Sequence, residues 1–231
     1  MSPRIAIRDA SGLTLIETLV AVLVGVVVTG ATFAILNLSL NQSTRIADRV
    51  SADQRGRLAM EKLLLELHSS CVSVGLVPPI LEKSTATNIK FLSETGSGTA
   101  FTTVTEHEVK LEGGTLYDVY YTSFPSSTGK WTFPSTPTTT VTLLTGVSQS
   151  ANGTAPVFQY FKYEKGQLSA TPLNESGISK EEAKVATQVN IRFSVAPESG
   201  NNKGDRLIDL SDNVILRLTP ATEVGPNEPC E

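Results

Sequence analysis

A long uncharged stretch dominates the start of the chain. After Glu17 no charged residue occurs until Arg45, and Leu, Val, Ala and Phe fill most positions from Thr18 to Leu38. About 20 apolar residues in a helix are enough to cross the ~30 Å hydrocarbon core of a bilayer. The stretch therefore predicts a membrane-spanning helix, and it is longer than the apolar core of an ordinary secretory signal.

The charges that flank this stretch predict its orientation. Arg4 and Arg8 precede the span, and no lysine or arginine lies within it. Because basic residues beside a span favour the cytoplasmic side, we expect a cytoplasmic N-terminus, with residues from 41 onward on the other side of the membrane.

A second pattern follows the apolar stretch. From Arg45 to Ser70, Met60, Leu63, Leu64, Leu67 and Cys71 recur at intervals of three and four, with charged residues between them. This spacing predicts that the helix continues and turns one apolar stripe toward a core. The pairs Val74-Gly75 and Pro78-Pro79 predict its end, since proline removes a backbone donor and clashes with the preceding turn.

The rest of the chain alternates in short runs separated by Gly, Pro, Ser and Thr, which predicts strands and turns. The predicted strands are Asn88–Leu92, His107–Glu112, Thr115–Thr122, Thr139–Leu144, Val157–Tyr163, Gln188–Val195 and Asp212–Leu218. Gly113-Gly114 predicts a hairpin turn, and the Ser/Thr-rich segments Ser93–Thr105 and Ser123–Thr138 predict long loops. The fold class is therefore α+β, with a long N-terminal helix and a strand-rich antiparallel head.

Composition and charge exclude some classes of function. A formal charge of −4 leaves no basic excess for a phosphate backbone, so no direct binding of nucleic acid is expected. The two histidines, His68 and His107, join no recognisable catalytic or metal-ligand spacing, and the glutamates beside His107 belong on the opposite face of a strand. We expect no enzyme activity, no cofactor and no metal. Asn201, Asp205, Asp209 and Asp212 leave a calcium site as the less favoured alternative to a solvated turn, because their spacing does not match an EF-hand.

The residues at the start of the span carry a resemblance. The segment from Gly12 to Val20, GLTLIETLV, resembles the processing site of type IV prepilins and type II secretion pseudopilins. The match combines a short basic leader, a glycine at its end, a Thr-Leu-Ile-Glu run and an unbroken apolar stretch. It departs from the family at Leu13, where phenylalanine is most common. The stretch Leu144–Phe161 is more weakly similar to J-class minor pseudopilins and related minor pilins.

The resemblance implies a pilin-like fold in four parts. Residues 1–12 are a leader, 13–40 the membrane half of the helix, 41–76 its outer amphipathic half, and 80–231 the β-rich head. It also implies that a prepilin peptidase cuts after Gly12 and methylates the new amine of Leu13. Implied partners are that peptidase, other pilin or pseudopilin subunits, an inner-membrane assembly platform and membrane lipid. The implied location is the inner membrane, with the head outside, and then a filament at the cell surface.

Glu17 becomes the fifth residue of the cleaved chain. A carboxylate in an apolar span is costly without a partner, and the nearest cation is the amine of Leu13. The resemblance implies that this amine belongs to an adjacent subunit, which makes Glu17 an assembly residue. The alternative is that Glu17 only reaches the cytoplasmic interface.

The two cysteines show no C-x-x-C spacing, so neither a zinc site nor a redox motif is indicated. Cys71 and Cys230 are both expected on the oxidising side of the membrane, where a disulfide can join the end of the helix to the tail. Two free thiols are the alternative.

The leading function is a structural minor pilin or pseudopilin of a pilus, secretion or DNA-uptake filament. The alternative is a membrane-anchored binding module or a tip adhesin that uses the Ser/Thr-rich loops of the head.

Overall fold

The computed structural model describes residues 14–70, 78–95, 103–125, 131–197 and 207–216. These residues form an α+β fold in which a long N-terminal helix packs on antiparallel sheets, as the sequence predicts. The chain divides into two compact units, an N-terminal unit Met1–Ala47 and a head unit Asp48–Glu231. The elements in chain order are α1 (Leu15–His68), β1 (Asn88–Thr95), β2 (Thr103–Glu112), β3 (Thr115–Thr122), β4 (Phe124–Pro125), β5 (Trp131–Thr132), β6 (Thr139–Thr145), β7 (Val147–Ser148), α2 (Ser150–Gly153), β8 (Phe158–Phe161), β9 (Tyr163–Glu164), β10 (Gln167–Leu168), α3 (Lys180–Val185), β11 (Gln188–Val195) and β12 (Ile208–Ile215).

The head unit contains two four-stranded antiparallel sheets. The first has the order β1-β2-β3-β6, and in the second β11 pairs with β12, β7 and β8. Gly113 and Gly114 have φ values of 57° and 77° and connect β2 to β3, which confirms the predicted hairpin turn. Positive φ at both central residues is the geometry of a type I′ turn, which glycine adopts without steric cost.

Alternation along β11 is confirmed from Gln188 to Phe193, but Ser194, predicted on the open face, is also buried, where its hydroxyl bonds to Ser150 and Asp209. Val189, Ile191, Phe193 and Val195 are completely buried, whereas Arg192 between them is exposed. Burying a side chain of this size contributes about 1.5–3 kcal/mol, so this face fixes the register of β11 with its neighbours.

The second half of α1 supplies the helical side of the core. Its buried residues share one stripe, and they are Ala52, Gly56, Ala59, Met60, Leu63 and Leu67. They pack in one cluster with Phe91, Tyr160 and Phe193 from the sheets. The predicted stripe is confirmed at Met60, Leu63 and Leu67, and Leu64 is half-buried against the same cluster.

The helix ends at His68, within two residues of the predicted Ser70, and residue 76, the predicted boundary of its outer half, lies outside the described residues. The hydroxyl of Ser69 donates to the carbonyl of Glu66, and the amide of Ser70 donates to the carbonyl of Leu67, three residues back. Ser70 then forms an isolated bridge with Ser93. The Ser69 hydroxyl and the tightened last turn satisfy carbonyls at the end of the helix ten residues before Pro78, so the proline pair is not its terminator.

Both predicted loops contain more strand than expected. β1 continues to Thr95 and β2 begins at Thr103, so both ends of the Ser93–Thr105 segment are strand. The Ser123–Thr138 segment contains the short hairpin β4–β5. Strand β12 lies at Ile208–Ile215, earlier than the predicted Asp212–Leu218, because its register is set by pairing with β11.

Candidate functional site

The N-terminal unit exposes an apolar helical surface. Every side chain from residue 14 to residue 47 is exposed, including large hydrophobic ones such as Leu19, Val26 and Phe33. Within the part of the chain that the structure describes, α1 is the one helix long and apolar enough to cross a membrane. Such a helix is compatible with a single-pass membrane anchor.

Four polar side chains of this surface form hydrogen bonds to the backbone of the helix itself. Thr18, Thr29 and Thr32 donate their hydroxyls to backbone carbonyls three or four residues earlier, at 2.8 Å. The amide of Asn37 donates to the carbonyl of Phe33 at 3.1 Å. These bonds remove the main cost of placing four polar side chains in an apolar medium, since an unsatisfied donor in lipid is expensive.

Glu17 lies in the first turn of α1. Its backbone N–H faces the carbonyl of Thr14 at 3.0 Å and the Thr14 hydroxyl at 3.4 Å. Thr14 and Glu17 have the T-x-x-E spacing of a capping box, a signal in the sequence that our prediction for Glu17 did not use. A carboxylate at this place also interacts favourably with the positive end of the helix dipole.

The other predicted site residues cannot be placed. Gly12, Leu13, Cys71 and Cys230 lie outside the described residues. Cleavage after Gly12, methylation of Leu13 and the Cys71–Cys230 disulfide therefore stay predictions.

The head unit contains a second candidate site, a buried cluster of Glu66, His107 and Asp118. His107 on β2 lies opposite Tyr120 on β3, and Asp118 lies opposite Val109, so His107 and Asp118 are diagonal neighbours on one face. Glu66 reaches this face from the last turns of α1. The three residues are distant in sequence, and only the strand register and the packing of α1 bring them together.

The three ionisable side chains converge on one point. His107 Nδ1 lies 3.4 Å from Asp118 Oδ1 and 3.9 Å from Glu66 Oε2. One ligand atom from each residue lies within 4.8 Å of the other two. Asp118 is completely buried and His107 is 6% exposed, so water has little access to either.

The imidazole of His107 is held on its other sides. Its Nε2 forms a hydrogen bond of 2.6 Å with the Ser93 hydroxyl. The ring stacks on Phe91 at a centroid distance of 4.9 Å and meets the edge of Tyr120 at 4.6 Å. These contacts fix the ring so that Nδ1 points toward the two carboxylates.

The carboxylates of the cluster are perturbed in opposite directions. Burial, together with the neighbouring Asp118, raises the pKa of Glu66 to about 8. Burial also opposes ionisation of Asp118, but polar contacts with His107, Glu66 and Tyr120 outweigh it and hold its pKa below the ordinary value. Burial and the nearby Asp118 raise the pKa of Tyr120. Glu66 is therefore the group that keeps a proton near neutral pH, and Asp118 is the carboxylate.

Four polar atoms in this cluster lack a well-formed hydrogen bond. They are Glu66 Oε2, His107 Nδ1 and both carboxylate oxygens of Asp118. His107 Nδ1 and Asp118 Oδ1 lie 3.4 Å apart without good hydrogen-bond geometry. Leaving a buried polar group unpaired costs about 1–3 kcal/mol, and native proteins seldom leave several together.

Our sequence prediction missed this cluster, although it placed the neighbours of His107 correctly. Glu106 and Glu108 lie on the opposite face of β2, where Lys90 approaches them at 3.5 Å and 3.7 Å. His68 is exposed on α1. The alternation of β2 was a usable signal for the faces, but no local pattern indicates that Asp118 and Glu66 meet His107.

Comparison with known proteins gives no family. A scan against models of protein families finds no match to the chain, and a search of curated proteins also finds none. The resemblance at Gly12–Val20 therefore rests on the residues themselves.

Proposed function

We propose that the chain is a structural subunit of a type IV pilin-like filament, made as a precursor and anchored in the inner membrane by the first half of α1. A prepilin peptidase removes residues 1–12, and the mature subunit enters a pilus, secretion or DNA-uptake filament through α1. The observation that carries the proposal is a fully exposed apolar helical surface that begins with a single carboxylate, Glu17. A soluble enzyme or a soluble binding module has no need of such a surface.

Magnitudes favour insertion of this helix. Twelve Leu, Ile, Val and Phe side chains lie between Thr18 and Leu38. At about 0.3–0.6 kcal/mol each they favour insertion by at most about 4–7 kcal/mol, which exceeds the ~2.5–3.5 kcal/mol cost of a carboxylate even at the bilayer centre. Glu17 lies at the edge of the span, where its cost is smaller. The helix therefore tolerates Glu17, and the carboxylate is available to pair with a neighbouring subunit.

The division of α1 fits the same role. Residues up to Ala47 belong to the N-terminal unit and residues from Asp48 to the head unit. The second part of the helix buries Leu63 and Leu67 in the head. One helix thus contributes residues both to the proposed anchor surface and to the core of the head.

Substitutions at Glu17 separate an assembly role from a capping role. Glu17→Gln keeps a residue type found at this position of a capping box, but it removes the charge. Thr14→Ala removes the capping hydroxyl and keeps the charge. If Glu17 pairs with an amine of another subunit, Glu17→Gln and Glu17→Val are inserted and processed but fail to enter filaments, whereas Thr14→Ala assembles.

The readouts are membrane fractionation, leader removal on gels, and crosslinking to neighbouring subunits in cells that carry the assembly machinery. Normal crosslinking of both Glu17 variants shows that the charge is dispensable for assembly. A chain that keeps its leader in such cells, with the head still exposed outside the membrane, favours the membrane-anchored binding module.

A further inference from the structure

We propose that Glu66, His107 and Asp118 form a binding site for a divalent transition-metal cation, for which Zn²⁺ is the best match. The site lies within the head unit and is independent of the filament function proposed for α1.

The unpaired atoms point to a ligand. Asp118 is completely buried, and both its carboxylate oxygens lack hydrogen-bond partners, as does His107 Nδ1. Glu66 Oε2, the third atom turned toward this point, is also unpaired. Buried polar atoms are almost always partnered by protein, water or an ion, so unpaired atoms on three converging side chains indicate a missing partner.

The geometry suits a metal ion. The three donor atoms lie within 4.8 Å of one another. An ion placed centrally between them is therefore at most about 2.8 Å from each donor. Side-chain shifts of roughly half an ångström or slightly more bring the donors to the 2.0–2.2 Å of zinc coordination. The ligands come from α1, β2 and β3, and the register between β2 and β3 is continuous at this point. The backbone positions are therefore fixed, and only side-chain torsions need to adjust.

The donor set favours a transition metal over calcium or magnesium. One imidazole nitrogen with two carboxylates suits Zn²⁺ and its neighbours, whereas Ca²⁺ requires six to eight oxygen ligands and Mg²⁺ keeps several waters. A dication also balances two ionised carboxylates beside a neutral imidazole. Three protein ligands leave the fourth position of a tetrahedral zinc ion for water.

Outer contacts of the ligands resemble those of metal sites. Metal-binding histidines usually form a hydrogen bond through the second ring nitrogen, which fixes the ring and its tautomer. Here His107 Nε2 is bound to Ser93 at 2.6 Å, which leaves Nδ1 for the metal. The hydroxyl of Tyr120 donates to Glu66 Oε1 at 3.5 Å, so Oε2 faces the centre of the site.

Access to the site is from the side of Glu66. The Glu66 side chain is 17% exposed, whereas that of Asp118 is fully buried. A bound ion there joins the last turns of α1 to β2 and β3, so its loss loosens the helix from the sheet.

The test uses the full-length protein in detergent, stripped with EDTA and dialysed. Calorimetric titration with Zn²⁺ is expected to give one ion per chain, and far-UV circular dichroism is expected to show a higher melting temperature with Zn²⁺ present. His107→Asn and Asp118→Asn are expected to weaken Zn²⁺ binding by at least about 100-fold, since loss of an outer contact alone weakens it 10–100-fold.

Matched controls come from the same chain. His68→Asn removes the other histidine, and Glu108→Gln removes a glutamate next to His107 on the opposite face of β2, so both should bind Zn²⁺ normally. Where a ligand variant does not fold, Ser93→Ala provides a milder change, because it removes only the outer contact of His107 and should weaken binding about 10-fold.

The proposal is overturned if the stripped protein binds no Zn²⁺ at micromolar concentrations, or if Mg²⁺ or Ca²⁺ binds as tightly as Zn²⁺. It is also overturned if His107→Asn and Asp118→Asn both bind as well as wild type. None of these results bears on filament assembly, which the Glu17 variants test separately.

Discussion

Replacement of Gly56 by alanine tests how closely α1 packs on the sheet that contains β12. Gly56 is buried in the middle of the helix. A Cβ atom added there overlaps Leu210 Cδ1 and lies 3.0 Å from Val195 Cγ2. Carbon atoms prefer separations of about 3.5–4.0 Å, so the Leu210 methyl must move by roughly 1 Å or more.

Two opposing effects determine how much Gly56→Ala changes the free energy of unfolding of the head. Alanine in place of glycine inside a helix stabilises by about 1 kcal/mol. Extra volume in a packed core destabilises by about 1–3 kcal/mol, and here the flexible, half-buried Leu210 can move aside, which keeps the effect at about 2 kcal/mol rather than the upper end of that range. We expect Gly56→Ala to destabilise the head by about 1 kcal/mol, which lowers the melting temperature by about 2–4 °C for a domain of this size.

The Leu210→Ala background isolates the overlap. With the leucine methyls removed, Gly56→Ala keeps the helix benefit and should stabilise by about 0.5–1 kcal/mol, which gives a coupling energy near 2 kcal/mol. Urea unfolding of the full-length protein in detergent, followed by circular dichroism, measures all four proteins of the cycle. If Gly56→Ala stabilises equally in both backgrounds, α1 does not contact β12 at this position and the proposed packing is wrong.

Two further predictions concern the head. The first is a pH dependence, measured in the presence of EDTA. The pKa of Glu66 is about 8 in the folded protein, against an ordinary value of 4.5. The stability contributed by protonated Glu66 is therefore fully present below about pH 4.5 and is lost as the pH rises through about 8. Wild-type stability should therefore fall between pH 5 and 7.5 relative to Glu66→Gln, by up to about 1.4 kcal/mol per pH unit, in urea titrations at each pH; parallel curves for the two proteins would contradict the raised pKa. A Cys71–Cys230 disulfide closes a long loop and should stabilise the oxidised protein by about 4–5 kcal/mol in the chain-entropy model; unchanged gel mobility on reduction, with full alkylation of the unfolded non-reduced protein, would exclude it.

Local patterns predicted the features that depend on single elements. The stripe at Met60, Leu63 and Leu67 and the buried face of β11, formed by Val189, Ile191, Phe193 and Val195, each follow from a single period. The Gly113-Gly114 turn follows from the backbone angles that only glycine adopts without strain. These features need no knowledge of which element packs on which.

Short elements escaped prediction although one of them carried a signal. Helix α3 has six residues and begins with a complete capping box, in which the Ser179 hydroxyl accepts from the Glu182 amide and the Glu182 carboxylate accepts from the Ser179 amide. Thr14 and Glu17 have the same spacing at the start of α1. In both places the S/T-x-x-E signature was present, but a hydrophobic pattern long enough to be recognised did not mark α3.

The Glu66–His107–Asp118 cluster lay beyond sequence reasoning for a different reason. Its assembly depends on the pairing of β2 with β3, which makes His107 and Asp118 diagonal neighbours, and on the face of that sheet which α1 covers. Glu66 looked like one of the charged positions between apolar ones on an amphipathic helix. Only tertiary packing shows that this glutamate points inward.

The N-terminus of the mature protein tests the filament-subunit account most directly. Mass spectrometry of protein extracted from membranes of cells with the processing machinery should show a chain that begins at N-methylated Leu13. Gly12→Val should leave the leader attached, because a small residue at the cleavage point lets the backbone enter the peptidase. A wild-type chain that keeps Met1, or one that begins near Ile35 after cleavage by an ordinary signal peptidase, would contradict the account.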